Sequence, residues 1–369
     1  MDRALRLLVA APLLLFLACG LGDSTDQKQD AGQPSVDASL TMDASEAKDS
    51  GSGARDAGSG TDRDGGQGGT DAAVAMDASE AKDSGSGAKD AGDDAGQDAS
   101  SGEGAGGCTV GSWPTADPAA KGPFAVVKEN DVGPGAGVEE NGTQPRFVVI
   151  RPSDLGQSGR CHPVITWGNG YNDNPPTYMV LLQQLASHGF VVVASLSHYV
   201  SKGDPPPMKV GVDWVLQQNA DPASVMYKHI DTSHIGATGH SAGGFATSQL
   251  GSDPRIKAIA TICGAGANNA LQGPALLLCG GQDTMATCSG MQSAFNGITN
   301  QPVMLANQLS ATHGSWIGSI KDPFMIAVTS WMRLHLMGDT AQRKMFYGAD
   351  CTLCKNTSVW KVQQKMMDQ

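Results

Sequence analysis

"GATGHSAGGFA", Gly236 to Ala246, decides how this chain is read. One serine sits among glycines and alanines, with a histidine before it. A linker would account for the glycines but not for the flanks. On the amino side "HIGATGH" reads as a short strand, and on the carboxyl side "GGFATSQLGSD" opens like a helix. Gly239-His240-Ser241-Ala242-Gly243 fits G-x-S-x-G, the sharp strand-to-helix turn that presents a nucleophilic serine. Any side chain at Gly239 or Gly243 is expected to collide with adjacent backbone in so tight a turn. The pattern is short and recurs by chance, so its reading depends on partners elsewhere.

Outward from this turn, strand and helix patterns alternate. Upstream, "RFVVIRP" and "HPVITWGNG" read as strands, and "TYMVLLQQLASHG" as a helix closed by Gly189. "FVVVASLS" reads as a buried strand, and "MKVGVDWVLQQNA" has helical spacing at Val212, Val215 and Leu216. Downstream, "IKAIATICG", "PALLLCGGQD" and "QPVMLANQL" read as three more strands. "DPFMIAVTSWMRLHLMGD" reads as a long terminal helix with an Asp-Pro start. The alternation predicts an α/β class: a mostly parallel central sheet with helices on both faces. Runs such as "VVVA" and "ALLL" are apolar throughout, as strands buried on both faces must be.

A serine hydroxyl is a poor nucleophile until a base takes its proton. An imidazole does this, and a carboxylate holds its tautomer. Where the serine sits on such a turn, the chain order is Ser, then Asp or Glu, then His. "ALLLCGGQDT" puts Asp283 just past one strand, and "VMLANQLSATHGSW" puts His313 just past the next. The only other histidine after Ser241 is His335, inside the terminal helix pattern. His240 is read as flanking structure. The oxyanion of acyl transfer needs two backbone N–H donors. Ala242, directly after the nucleophile, is expected to give one. The loop "TWGNGYNDNPP" is expected to give the other, from Tyr171 first and Asn172 next.

With these residues in view, the region from about 120 to 350 resembles an α/β-hydrolase of the bacterial cutinase and polyester hydrolase group, near dienelactone-hydrolase-like and chlorophyllase-like esterases. The resemblance is carried by "NGY", "LASHGFVVVA", "GHSAGG", "GGQDT", "ATHGS" and "SWMRLHLMGDTAQRKMFYG". It implies a triad of Ser241, Asp283 and His313, oxyanion donors at Tyr171 and Ala242, no large lid and an open cleft. Two positions depart from the group's pattern. Ala242 stands where polyester hydrolases usually carry methionine, and "ICGAGANNALQ" lacks the tryptophan they use to clamp an aromatic unit. These departures count against aromatic polyester as substrate and leave ester hydrolysis as the expectation.

The amino-terminal third is of another kind. Residues 1–18, "MDRALRLLVAAPLLLFLA", read as a signal peptide: arginines, then an apolar run too short for a stable membrane span. "LFLAC" resembles the bacterial lipobox, which implies lipidation of Cys19, although Phe16 stands where leucine is usual. A plain secretory signal is the alternative. Residues 19–107 read as a disordered Asp/Gly/Ala/Ser-rich tether, with "MDASEAKDSGSGARDAG" at Met42 repeated almost unchanged at Met76, 34 residues on. A segment with so little apolar surface cannot offset its ordering entropy. A tether of this length has a root-mean-square reach of roughly 50 Å. Residues 20–107 hold 19 of the 37 acidic and 6 of the 25 basic side chains, so the domain expected over 108–369 is neutral. The chain's acidity therefore says nothing about the substrate.

Eight cysteines complete the inventory. With Cys19 set aside, seven remain in a chain expected to be exported, where disulfides persist. Cys263 reads as a buried free thiol. Cys279 and Cys288 flank Asp283 and are expected to bridge, closing the acid's loop; alternatively Cys288 pairs with Cys351 or Cys354. Cys351-x-x-Cys354 lacks the second ligand pair of a metal site. The expectation is a monomeric serine esterase, on the outer membrane through an N-terminal lipid anchor or extracellular. It is expected to act on soluble, polymeric or lipidic esters, without cofactor, metal or nucleic acid. A peptidase or amidase on the same triad and a silent tethered binding module are the competing classes.

Overall fold

A computed structural model describes residues 108–136, 145–156, 159–201 and 206–367. The expected signal segment, Cys19 and the tether lie outside the described residues. Nine strands form a single sheet: β1 (Val126–Val132), β2 (Phe147–Pro152), β3 (His162–Gly168), β4 (Val191–Ser195), β5 (Ile230–His240), β6 (Ile256–Ile262), β7 (Ala275–Gly280), β8 (Val303–Gln308) and β9 (Trp360–Lys365). Their spatial order is β1-β2-β4-β3-β5-β6-β7-β8-β9. The run from β4 to β8 is parallel, and β1, β2 and β9 add antiparallel edges. The chain steps outward from β3 to β4, then returns to place β5 on the other flank of β3. Such a reversal opens a crevice at the carboxyl ends of the two strands, the usual ligand position in open α/β sheets.

The pleat sorts the core into two layers. Leu276 and Leu278 of β7 point to one face, with Ile165 and Trp167 of β3; helices α1 (Met179–Ser187) and α5 (Pro323–Met337) cover it with Leu181, Leu185, Val328 and Trp331. Ala275, Leu277 and Cys279 point to the other face, where α2 (Pro207–Ala220), α3 (Ala242–Leu250) and α4 (Cys288–Gly297) lay down Val212, Val215, Leu250 and Phe295. Burial on both sides is why β4 is apolar up to its last residue, Ser195, and β7 carries no polar side chain. This is the α/β-hydrolase fold expected from the sequence.

Local signals act as read. Asp322 caps α5, its carboxylate accepting the Phe324 N–H at 2.8 Å, with Pro323 in the first turn. Gly189 takes φ 106° after α1, a conformation an L side chain resists. The helix read from Thr177 starts later, because the two prolines make Pro175–Tyr178 a 3₁₀ turn first. The edge strands β1 and β9, α4, the 3₁₀ turn Thr340–Met345 and the short helix Thr352–Lys355 had no clear pattern. Cys108 is bonded to Cys161, the residue before β3, and Thr109 bridges Arg160. The described chain thus enters at the amino ends of the parallel strands. No helix among the described residues is long and apolar enough to cross a membrane.

Candidate active site

Ser241 stands between the end of β5 and the start of α3 with φ 54° and ψ −118°, a conformation costly for any residue but glycine. Backbone bonds hold it there. Its N–H donates to the Ile262 carbonyl at 2.9 Å, and its carbonyl accepts from Gly244 and Phe245 at 2.9 and 3.2 Å. A Cβ on Gly243 would overlap the Gly168 carbonyl of β3, and one on Gly239 would sit 2.5 Å from the Gly243 oxygen. The glycines are there for close approach, as the turn requires. Among the described residues the Ser241 hydroxyl makes no hydrogen bond.

Asp283 lies three residues past β7, its side chain fully buried, and His313 lies five past β8. His313 Nδ1 is 2.7 Å from Asp283 Oδ2. The other oxygen, Oδ1, accepts the N–H groups of Met285 and Ala286 at 2.8 and 2.9 Å. Burial raises the Asp283 pKa, and the bonds from His313, Ala286 and Met285 outweigh that, leaving it below its ordinary value. An ionised carboxylate only accepts, so His313 carries its proton on Nδ1 and leaves the Nε2 lone pair free. The two loops are tied by the Gln282 N–H on the Ala311 carbonyl at 2.9 Å. Cys279 and Cys288 form the expected bridge around Asp283. Cys351 and Cys354 bond each other, and Cys263 remains a buried free thiol. His335 is remote from this chemistry: it packs on Trp331, 4.2 Å between ring centres, with burial lowering its pKa to about 4.

The loop after β3 brings Gly170 against the nucleophile; a Cβ there would be 3.7 Å from that of Ser241. The next amide, Tyr171, has no acceptor among the described residues, and neither has that of Ala242 at the start of α3. Asn172, the second choice for a donor, spends its N–H on the His198 carbonyl at 3.0 Å. The Tyr171 ring is 70% exposed and meets Tyr199 edge-on.

Behind these groups lies a buried set that sequence reading missed. The Tyr178 hydroxyl accepts the Gly170 N–H at 3.1 Å and lies 2.8 Å from Asp173 Oδ2 and 3.0 Å from His240 Nδ1. The other nitrogen of His240 lies 2.9 Å from the His313 carbonyl. Burial, and then the neighbouring His313 imidazole, lowers His240 to about 4. The only sequence signal for Asp173 and Tyr178 was their place in "NGYNDNPPTY" beside the oxyanion loop. His240, Cys263 and His313 bring potential metal-ligand atoms within 4.8 Å of one another. Both His240 nitrogens and His313 Nδ1 are already engaged in hydrogen bonds, so the set is poorly prepared for a metal.

Large apolar side chains rim the site. Tyr171, Tyr199, Phe245, Met285 and Leu309 are exposed, and each follows the carboxyl end of a parallel strand. A sealed carboxylate paired with an imidazole, on loops at the same end of the parallel strands as a strained, unengaged serine, is equipment for acyl transfer. Among curated proteins, none matches this chain. Its residues 110–365 do match the PET hydrolase-like family, and the chain belongs to that family of ester-hydrolysing α/β-hydrolases.

Proposed function

We propose that the protein is a serine carboxylic ester hydrolase that works through an acyl-enzyme on Ser241. The observation that carries this reading is the 2.7 Å Asp283–His313 pair with its carboxylate sealed from solvent, at the same end of the parallel strands as the strained Ser241. Ser241 Oγ attacks the ester carbonyl as His313 Nε2 takes the hydroxyl proton. The carbonyl oxygen becomes an oxyanion, received by the amides of Ala242 and Tyr171. His313 returns the proton to the leaving alkoxide, the C–O bond breaks, and the alcohol departs. Water repeats the cycle: His313 takes its proton, the hydroxyl adds to the acyl carbon, and Ser241 leaves with that proton. Asp283 keeps the imidazole in the required tautomer and offsets its charge while it is protonated.

The exposed rim favours an apolar ester presented at a surface, polymeric or lipidic, over a small polar one. Phe245, one turn beyond Ser241, stands against Gly266 in the loop where the family resemblance looks for a tryptophan. The three disulfides support an exported protein, and the Cys19 anchor remains part of the proposal. A fluorophosphonate probe tests the core reading: it should label the full chain on Ser241 and leave Ser241→Ala untouched. Short-chain aryl ester should be cleaved and a matched peptide amide should not. Labelling elsewhere, or none, overturns the assignment.

A further inference from the structure

Two loops must hold register around Ser241 if the reading above is right: the one bearing His313 and the one bearing the Tyr171 amide. They spring from different strands, β8 and β3, separated in the sheet by three others. A buried hydrogen-bonded path joins them. A carbonyl only accepts, so the 2.9 Å contact with the His313 carbonyl puts a proton on His240 Nε2. On the far side of the same ring, Nδ1 meets the Tyr178 hydroxyl at 3.0 Å, and that hydroxyl accepts the Gly170 N–H at 3.1 Å. Asp173 Oδ2, 2.8 Å from the phenol oxygen, competes for its single proton. Only one acceptor can take it: when Nδ1 does, the path runs unbroken from the His313 carbonyl to the Gly170 amide, and when Asp173 does, Nδ1 and the phenol oxygen face each other as two acceptors, so the coupling requires the first arrangement. Among the described residues, the His313 carbonyl and the Gly170 amide have no other hydrogen-bond partner.

We propose that His240, through Tyr178, is a positioning residue for ester hydrolysis: it couples the loop of the base to the loop of the oxyanion donor. This rests on the assignment of Ser241 and His313. The ring also fills space, 4.6 Å from that of His313 and 5.5 Å from Trp316. Filling asks only for volume, whereas coupling asks for an N–H at the Nε2 position. The two roles therefore respond differently to substitution.

The test compares His240→Leu, His240→Gln, Tyr178→Phe and the Leu/Phe double variant of the full chain, with a soluble aryl ester and a thermal melt for each. Leucine keeps bulk without a donor; glutamine restores an N–H. His240→Leu and Tyr178→Phe should each lower kcat by about 10- to 100-fold with KM within about twofold, the scale expected when reacting groups lose registry. The double variant should lose no more than the worse single one, because both cut one path. His240→Gln should recover most of kcat. The proposal is overturned if His240→Leu keeps kcat within about twofold, if the two losses multiply, or if glutamine is as poor as leucine. Should His240→Leu not fold, Tyr178→Phe, which keeps its ring, decides alone: unchanged kcat overturns the coupling. Ser241→Ala in the same assay separates the questions, since activity there would sink the catalytic assignment itself.

Discussion

In the proposed mechanism, Ser241, Asp283 and His313 each have a job that one atom decides. Ser241→Ala removes a single oxygen from a side chain with no hydrogen bond among the described residues, so the melt should not move. Turnover should fall on the order of 10⁶-fold, as when a triad nucleophile is lost. A variant that keeps more than about a hundredth of wild-type kcat/KM rules Ser241 out as nucleophile. Asp283→Asn keeps shape but offers Nδ1 a wrong partner, and should cost roughly 10⁴ in kcat. His313→Ala should be comparably damaging and His335→Ala mild in activity, although the latter opens a hole beside Trp331. The reverse ranking would move the base to the terminal helix.

At the scale of elements, the loop from β7 to α4 shows how the acid is held. Cys279, in the strand, and Cys288, opening the helix, are nine positions apart, and Asp283 lies between. Replacing both cysteines by serine should lower unfolding free energy by about 2–3 kcal/mol, the loop-closure value for that span, as read from urea denaturation. It should also reduce kcat more than KM, because the carboxylate gains positions that miss His313. Unchanged stability and kcat would mean that the Met285 and Ala286 amides suffice. The elements differ in how openly the sequence declares them. β4, "VVVAS", and β7, "ALLLCG", were legible because both faces are covered. β1, "VVKENDV", and β9, "WKVQQK", have a neighbour on one side only, so half their residues are polar and the pattern is lost. In α4 Gly290 and Gly297 weaken helix propensity, and the Thr287 cap and the disulfide compensate. The candidate residues Ser241, Asp283 and His313 were legible because each lies within five residues of the end of a strand with a strong signature. The His240–Tyr178 path was not, since it depends on two distant loops meeting in space, which no local spacing encodes.

For the molecule as a whole, buried imidazoles set the response to acid. His188, His240 and His335 all fall to about 4 from an ordinary 6.5, first through burial and then through Arg333, His313 and Arg343 respectively. The unfolded chain therefore takes up protons below 6.5 that the folded one refuses until near 4. Stability tied to these groups is complete above that range and drains away as pH falls through it. His234, raised by Asp231, works in the opposite sense, its contribution fading as pH climbs above 6.5, but it is one group against four, since burial also lowers His162. Depressed carboxyls such as Asp283 and Asp253 add their own loss at still lower pH. Melting temperature should be nearly flat above about pH 7 and fall steadily toward about pH 4. A melt as high at about pH 4.5 as at neutrality would contradict the neutral state of these rings.

The bridge from Cys108 to Cys161 gives the molecule a mechanical polarity. Tension applied to the chain ahead of residue 108 passes through a covalent bond to the root of β3, a strand with a parallel neighbour on each side. The segment between the bonded cysteines, β1 included, is bypassed by that force and cannot be peeled off from its amino end. The point of attachment also lies at the opposite ends of the strands from Ser241. A molecule fixed to a solid support at residue 108 itself would keep its mouth turned outward, while one fixed through the rim at Met285 or Phe245 would be smothered.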